Sequence, residues 1–266
     1  MGSSKAELTW HGQPFADRIA RLLIRATGGP LIVVTAPEQE PPPLPAQATV
    51  VTDAHEGRGP LEAIAAGLRA LSADAVAYVC STDVPLLHPA LAEHVLASAD
   101  TETDIAVCET DGRLHPLAAA YRARTLPEIE ALLAEGQRRP IALFDRVPTR
   151  VLNRSALLAN EAVARLDGSL ESLANLNAPA DYERAHALEL PLIAVERFGL
   201  LRSEGSESST RTHERAATLG GLAKAAGIEL DGHVVAALNG EQVTTDAALP
   251  LVAGDRVSFL TADGGG

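Results

Sequence analysis

Val76-Ala77-Tyr78-Val79-Cys80, running into Ser81-Thr82-Asp83-Val84-Pro85, decides the fold class. The first five residues show no polar alternation. Such a run is expected of a strand buried on both faces, in a sheet covered by helices on two sides. A polar loop with one carboxylate follows, and a helical pattern resumes from about His88 to Ala97. On the N-terminal side, residues 13–27 predict a helix with Phe15, Ile19, Leu22 and Leu23 on one face and Gly28-Gly29 as its stop. Leu31-Ile32-Val33-Val34 and Thr49-Val50-Val51-Thr52 read as strands on either side of an exposed Pro- and Glu-rich loop at 37–47. Pro60 opens another helix, to about Leu71, at the position where proline is tolerated. Ile105–Cys108 and Leu117–Tyr121 read as further strands. Alternating strands and helices predict an α/β sheet, mostly parallel.

Chemistry in such sheets collects at the carboxyl ends of the strands. Three polar loops qualify: Asp53-Ala54-His55-Glu56-Gly57-Arg58-Gly59-Pro60, Ser81–Pro85, and Asn175-Leu176-Asn177-Ala178-Pro179. Asp83 has two readings. A carboxylate at a strand end can hold Mg²⁺ against a triphosphate, and an aspartate near proline also serves as a turn or helix cap. The same choice applies to Asp53, as turn former or ligand, and to Asn177, as cap or ligand.

The pattern changes after about Leu190. Leu192–Phe198 alternates like a half-exposed strand, residues 203–212 read as a Ser-, Glu- and Thr-rich loop, and Thr218–Ala226 reads as a short helix ending at Gly227. Val234–Leu238, Asn239-Gly240 and Glu241–Val243 form a hairpin signal, because a two-residue turn with φ > 0 at both positions favours Asn-Gly. Arg256–Leu260 is a last strand, and the chain reaches Gly264-Gly265-Gly266 directly after it. Domain one is expected at residues 1–188 and a small α+β domain at 191–266. A glycine tail is thin enough to thread a narrow channel and has a free carboxylate to offer; its alternative reading is a frayed terminus.

The net charge of −13 argues against non-specific binding to nucleic acid or anionic membrane. Aromatics are 3%, so the core must be built from aliphatic side chains. No run of about 18 apolar residues exists to span a membrane, and no signal peptide opens the chain. Cys80 and Cys108 lack metal-ligand spacing and read as buried core thiols of a cytoplasmic protein.

Val51-Thr52-Asp53, Gly57-Arg58-Gly59-Pro60-Leu61 with Gly67-Leu68, the Asp83 loop, His115-Pro116-Leu117 with Tyr121, and Asn175-x-Asn177-x-Pro179 with Asp181 follow one another in an order that resembles the MobA-type guanylyltransferases. The start, Met1-Gly2-Ser3-Ser4-Lys5-Ala6, resembles the tail of their N-terminal signature. The resemblance covers about residues 1–188. It implies a Rossmann-like nucleotidyltransferase that uses Mg²⁺ and GTP and attaches GMP to molybdopterin. By that resemblance Lys5 contacts the nucleotide phosphates, Asp53 sits near the guanosine, and Asp83 binds Mg²⁺. The backbone at Gly59 approaches the ligand, and Asn177 lies on the substrate or metal side. The family's central first strand and Gly-rich loop precede the Met of this signature and are missing from the chain. Two flanking strands are therefore expected to lack a hydrogen-bonding neighbour, and a start upstream of Met1 is the expected cause. Thr82 stands where the family often has Cys.

The C-terminal stretches Val195–Arg202, Val235–Gly240 and Leu251–Phe259 resemble the ubiquitin-like β-grasp sulfur carriers, above all the small subunit of molybdopterin synthase. That resemblance implies a thiocarboxylate on Gly266, with an adenylating, E1-like activating enzyme and the synthase large subunit as partners. This chain has three terminal glycines where the family has two, and Asp263 precedes them. A carrier that works through its C-terminus can be fused only through its N-terminus, which fits this domain order. The readings left beside these are a cytidylyl- or sugar-phosphate nucleotidyltransferase, a carrier for thiamine synthesis, and a carrier with an inert first domain.

Overall fold

In the computed structural model the described residues are 8–53, 59–201, 210–231 and 233–261. Lys5 and Gly266 lie outside them. The chain divides into two compact units, one built mainly on Pro14–Asp181 and the other on the chain from Tyr182 onward.

Two short strands, β1 (Thr9–Trp10) and β2 (Gln13–Pro14), precede helix α1 (Phe15–Thr27). α1 ends where Gly28 takes a left-handed conformation (φ 59°) and its N–H returns to the carbonyl of Ile24, as the Gly28-Gly29 stop predicted. β3 (Leu31–Thr35) then pairs in parallel with β4 (Ala48–Thr52). α2 (Pro60–Arg69), with Pro60 in its first turn, leads to β5 (Val76–Cys80), and α3 (Pro89–Ala97) follows. The His88 side chain caps α3 by accepting from the Ala90 N–H.

β6 (Ile105–Thr110) and β7 (Arg113–Arg122) form an antiparallel hairpin, and β5 pairs antiparallel with β7. α4 (Leu126–Ala134) and α5 (Ile141–Phe144) intervene before β8 (Thr149–Leu152), which pairs in parallel with β6. α6 (Arg154–Leu158), α7 (Glu161–Leu166) and α8 (Pro179–Ala187) follow. The sheet is therefore mixed, which corrects the mostly parallel expectation. The cause is local. Asp111 and Gly112 join β6 to β7 with φ of 53° and 73°, and a two-residue connection can link only antiparallel strands.

Helices cover both faces. Ala106 and Cys108 of β6 face a core with Leu91 and Val95 of α3, while Ile105 and Val107 face one with Leu61 and Ile64 of α2. Many of these side chains have no exposure at all, and each fully buried aliphatic contributes about 1.5–3 kcal/mol. β3 and β5 depart from this pattern. Ile32, Val33, Val34 and all five residues of β5 are only half-buried. The strand order explains it: β3–β4 and β5–β7–β6–β8 are separate sheets, so β3 and β5 are edges. Both strands lack a second neighbour among the described residues.

The second unit is one five-stranded sheet. β9 (Leu192–Arg197) pairs antiparallel with β10 (Thr210–Arg215), α9 (Leu219–Ala225) crosses over, and β11 (Val234–Leu238) pairs antiparallel with β12 (Gln242–Thr244). β13 (Arg256–Thr261) lies in the middle, parallel to β9 and antiparallel to β11, so the order is β10-β9-β13-β11-β12. Asn239 (φ 54°) and Gly240 (φ 81°) make the predicted turn. Thr218 caps α9, and Leu219, Leu222 and Ala223 pack on Ile193, Val195, Val257 and Phe259. The loop expected at 203–212 gives way to β10 at Thr210. β10 has no apolar residue, and only its pairing with β9 makes it a strand.

Candidate active site

The loop after β5 is fixed from several directions, which places Asp83. Its own Val84 and Leu87 are buried, and the Leu87 N–H closes a turn on the Val84 carbonyl at 3.1 Å. From α1, the guanidinium Nε of Arg18 donates to the Pro85 carbonyl at 2.9 Å. Arg18 is 2% exposed and its guanidinium lies 4.3 Å from the centre of the Trp10 ring. From the 175–179 loop, the buried Leu176 donates its N–H to the Asp83 carbonyl at 2.8 Å.

That last bond brings Asn175 to the carboxylate. Asn175 Nδ2 lies 3.3 Å from Oδ1 and 3.4 Å from Oδ2 of Asp83. The Ser81 hydroxyl donates to Oδ1 from the other side. Asp83 is thus held by side chains from two loops. The cap reading, in which it would close the following helix, is not what these bonds describe: α3 is capped by His88.

Asn177 sits differently. Its N–H and that of Ala178 both donate to Oδ2 of Asp181, at 3.2 and 2.9 Å, which organises the start of α8. The structure therefore brings Asn175, not Asn177, onto Asp83. The two asparagines are two apart in one loop, and the sequence offered only the anchoring apolar residue between them as a signal. Arg18 was also missed; it lies i+3 from Phe15 and i−4 from Leu22, beside the apolar face of α1, and it is buried against Trp10 and the Pro85 carbonyl.

Asp53 directly follows β4, and its N–H donates to the Thr35 carbonyl of β3 at 2.8 Å. It lies at the carboxyl end of the β3–β4 pair, as expected of a loop that meets a ligand. Gly59 precedes α2 with φ 79° and ψ 178°, a conformation nearly closed to other residues. A Cβ there would stand 3.1 Å from the Arg138 carbonyl oxygen, which accepts the Leu61 N–H at 3.3 Å. The glycine is needed for a close backbone approach, and in the structure that approach is to Arg138.

Other residues of the predicted order are structural. Tyr121 is buried in β7 and its hydroxyl donates to the Pro116 carbonyl at 2.9 Å. His115 Nε2 lies 2.7 Å from the Thr110 hydroxyl, and burial lowers its pKa. Cys108 is buried, and burial pushes its thiol up to about 12. Cys80 is half-buried on the β5 edge; desolvation and then the nearby Asp83 charge raise its pKa, so it too is a protonated thiol at neutral pH.

Among the described residues no three His, Cys, Asp or Glu side chains converge on a point. Asp83 with Ser81 and Asn175 offers instead one carboxylate and neutral oxygen donors. Such a set suits Mg²⁺, which commonly takes one or two carboxylates and completes its shell with water and substrate phosphates. No helix among the described residues is long and apolar enough to cross a membrane.

The model of the MobA-like NTP transferase domain matches residues 1–149. A probable molybdenum cofactor guanylyltransferase from Mycobacterium ulcerans is 40% identical over 136 residues, which span 49% of this chain and 66% of that protein. A second, from Mycobacterium avium, is 36% identical over 154 residues, or 56% of this chain and 75% of its own length. The match thus spans just under two thirds of the first of these relatives. The solved structure of molybdopterin-guanine dinucleotide biosynthesis protein A from Archaeoglobus fulgidus covers 70% of this chain and 90% of its own, with a TM-score of 0.55 and 22% identity, a likeness of fold. The chain belongs to the family defined by the MobA-like NTP transferase domain.

Proposed function

We propose that the first unit transfers GMP from GTP to molybdopterin. A phosphate oxygen of molybdopterin attacks the α-phosphorus, the bond from that phosphorus to the bridging oxygen breaks, and pyrophosphate leaves. The observation that carries this reading is the Asp83 carboxylate, presented at a strand end by Ser81 and Asn175, in a chain that is 36–40% identical over 136–154 residues to probable molybdenum cofactor guanylyltransferases. Mg²⁺ bound there would supply charge neutralisation for the triphosphate. Asp83 holds the cation side, and Ser81 and Asn175 fix the carboxylate so that little reorganisation is needed on binding. Asp53 is assigned to the guanosine side and Gly59 to the backbone of the loop that borders it. Lys5, by resemblance, contacts the phosphates. Asn177 is assigned the lesser role of shaping the loop.

We read the second unit as a sulfur carrier of the β-grasp type. The central β13, parallel to β9 and flanked by two hairpins with one helix between them, supports it. The carrier would deliver sulfur through Gly266 to a synthase large subunit after adenylation by an E1-like enzyme.

The test is turnover of molybdopterin with GTP or CTP, following dinucleotide and pyrophosphate. GTP is the expected substrate, Asp83→Ala should abolish turnover, and Asn175→Ala should cost at least tenfold more than Asn177→Ala. A CTP preference, or full activity in Asp83→Ala, overturns the reading. Mass spectrometry after incubation with the activating enzyme and a sulfur donor should find a thiocarboxylate at Gly266; an unmodified terminus removes the carrier assignment.

A further inference from the structure

Two loops meet at Asp83, and they are tied together at two points. One runs from Asp83 to His88, between β5 and α3, and the other from Asp167 to Asn177, between α7 and α8. At one point the Leu176 N–H donates to the Asp83 carbonyl at 2.8 Å, beside the contact of Asn175 with the Asp83 carboxylate. At the other the His88 N–H donates to the Ser172 hydroxyl oxygen at 2.8 Å. Ser172 is 1% exposed and His88 is 8% exposed, so water does not replace this bond.

The His88 N–H needs such an acceptor. His88 is the N-cap of α3, and the N–H of an N-cap residue has no partner within its own helix. A Glu or Gln at the third helical position can reach back to supply one. In α3 that position is Leu91, which is apolar and fully buried. Ser172 supplies the acceptor from a loop 84 residues away. That loop is well fixed. Leu170, Leu173 and Leu176 are buried at intervals of three, and the Leu173 N–H closes a turn on the Leu170 carbonyl at 3.0 Å. Leu170 and Leu173 share a core with Leu91. Asn175 itself is exposed, so its own burial does not aim its side chain. Its direction comes from the residues on either side.

We propose that Ser172 is a positioning residue of the candidate site: its bond to His88 sets the register of the 170–176 loop on the Asp83 loop and so brings Asn175 onto the Asp83 carboxylate. A loop tied only at Leu176 can pivot about that bond. A second tie, five residues further along the partner loop, removes the pivot. The carboxylate is then held from both sides before a ligand arrives, with less reorganisation left for binding.

The kinetic part of the test rests on the proposed GMP transfer, and the spectroscopic part does not. In the native chain the side-chain amide signal of Asn175, identified by its loss in Asn175→Ala, should stand apart from that of a free asparagine. Ser172→Ala should move it to the free position. The His88 and Leu176 amides should then exchange about tenfold faster or more, with those of β6 unchanged. Ser172→Cys keeps a weaker acceptor in nearly the same volume; it should fall between the two and serves if Ser172→Ala does not fold. Asn153→Ala is the control. It removes another helix cap of the same unit, the acceptor of the Ala156 N–H at 2.9 Å, and should leave Asn175 and Leu176 as they are. In turnover with GTP, Ser172→Ala should lower kcat about tenfold with KM within about twofold, and in the Asn175→Ala background it should lower kcat no further. An unmoved Asn175 signal in folded Ser172→Ala, the same movement in Asn153→Ala, or additive losses in the double variant overturns the proposal. If the native chain transfers no GMP, the proposed activity falls, and the amide measurements alone decide for or against Ser172.

Discussion

Gly59→Ala isolates the close approach beside the candidate site. At φ 79° and ψ 178°, Gly59 occupies a region that costs an L-residue about 1–3 kcal/mol. The added Cβ would also stand 3.1 Å from the Arg138 carbonyl oxygen. That oxygen is backbone, tied to the Leu61 N–H at 3.3 Å, so relief means lengthening a hydrogen bond worth about 1 kcal/mol. Together these predict a loss of about 3 kcal/mol, or about 6–12 °C in the melting temperature of a unit this size. Gly112→Ala is the internal comparison. Its φ of +73° is also left-handed, but a Cβ there meets nothing within 4 Å, so about 1 kcal/mol is expected. Calorimetry of the full chain separates the variants, and the transition of the second unit should stay in place in both. Equal losses in Gly59→Ala and Gly112→Ala would refute the reasoning, because the contact with Arg138 would then contribute nothing.

Two further variants test buried polar side chains of the first unit. Asp167 is buried and desolvation raises its pKa to about 6, so the folded state keeps a proton that the unfolded state releases at about 4. The stability it contributes is complete below about pH 4 and is lost as pH rises to about 6; in urea titrations, Asp167→Asn should gain on the native chain by up to about 3 kcal/mol between pH 4 and 7, and a pH-independent difference refutes this. Arg18→Met keeps the aliphatic bulk but leaves the Pro85 carbonyl without its donor, so stability should fall by about 1–3 kcal/mol. If Arg18 positions the Asp83 loop, kcat with GTP should fall as well, and unchanged kinetics in the folded variant would reduce it to a core residue.

Much of this molecule is legible in its residues where one physical rule acts alone. Gly28 and Gly227 stop helices because the left-handed conformation is open to them, and Asn239-Gly240 turns a hairpin for the same reason. Val76–Cys80 is a strand with the Asp83 loop behind it. Elsewhere a local signal was present but outvoted. Asp111-Gly112 is as good a hairpin turn as Asn239-Gly240, yet the all-apolar runs around it suggested parallel strands, and β7 came out antiparallel to both neighbours. β10 was unreadable in principle. Thr210–Arg215 is polar throughout, and its strand character comes from β9, with Arg211 paired to Glu196 across the ladder. The site divides in the same way. Asp83 follows from its strand, whereas the choice between Asn175 and Asn177 depends on Leu176 anchoring a loop that is distant in sequence.

The two halves of the candidate site do not rest on the same sheet. Asp83 is held by Ser81, Leu176, Asn175 and, through Pro85, by Arg18, and none of these bonds passes through β3. The strand behind it belongs to a four-stranded sheet with cores on both faces. Asp53 hangs from the Thr35 carbonyl on a two-stranded pair, and two strands alone are marginally stable in water. The helices α1 and α2 that cover β3 also line an apolar cavity of about 540 Å³ between β3 and β5, so part of their apolar surface is not packed there. It follows that destabilisation reaches the Asp53 side first. In a urea titration the amides of β3 and β4 should therefore lose protection before those of β5 and the Asp83 loop, and simultaneous loss refutes this.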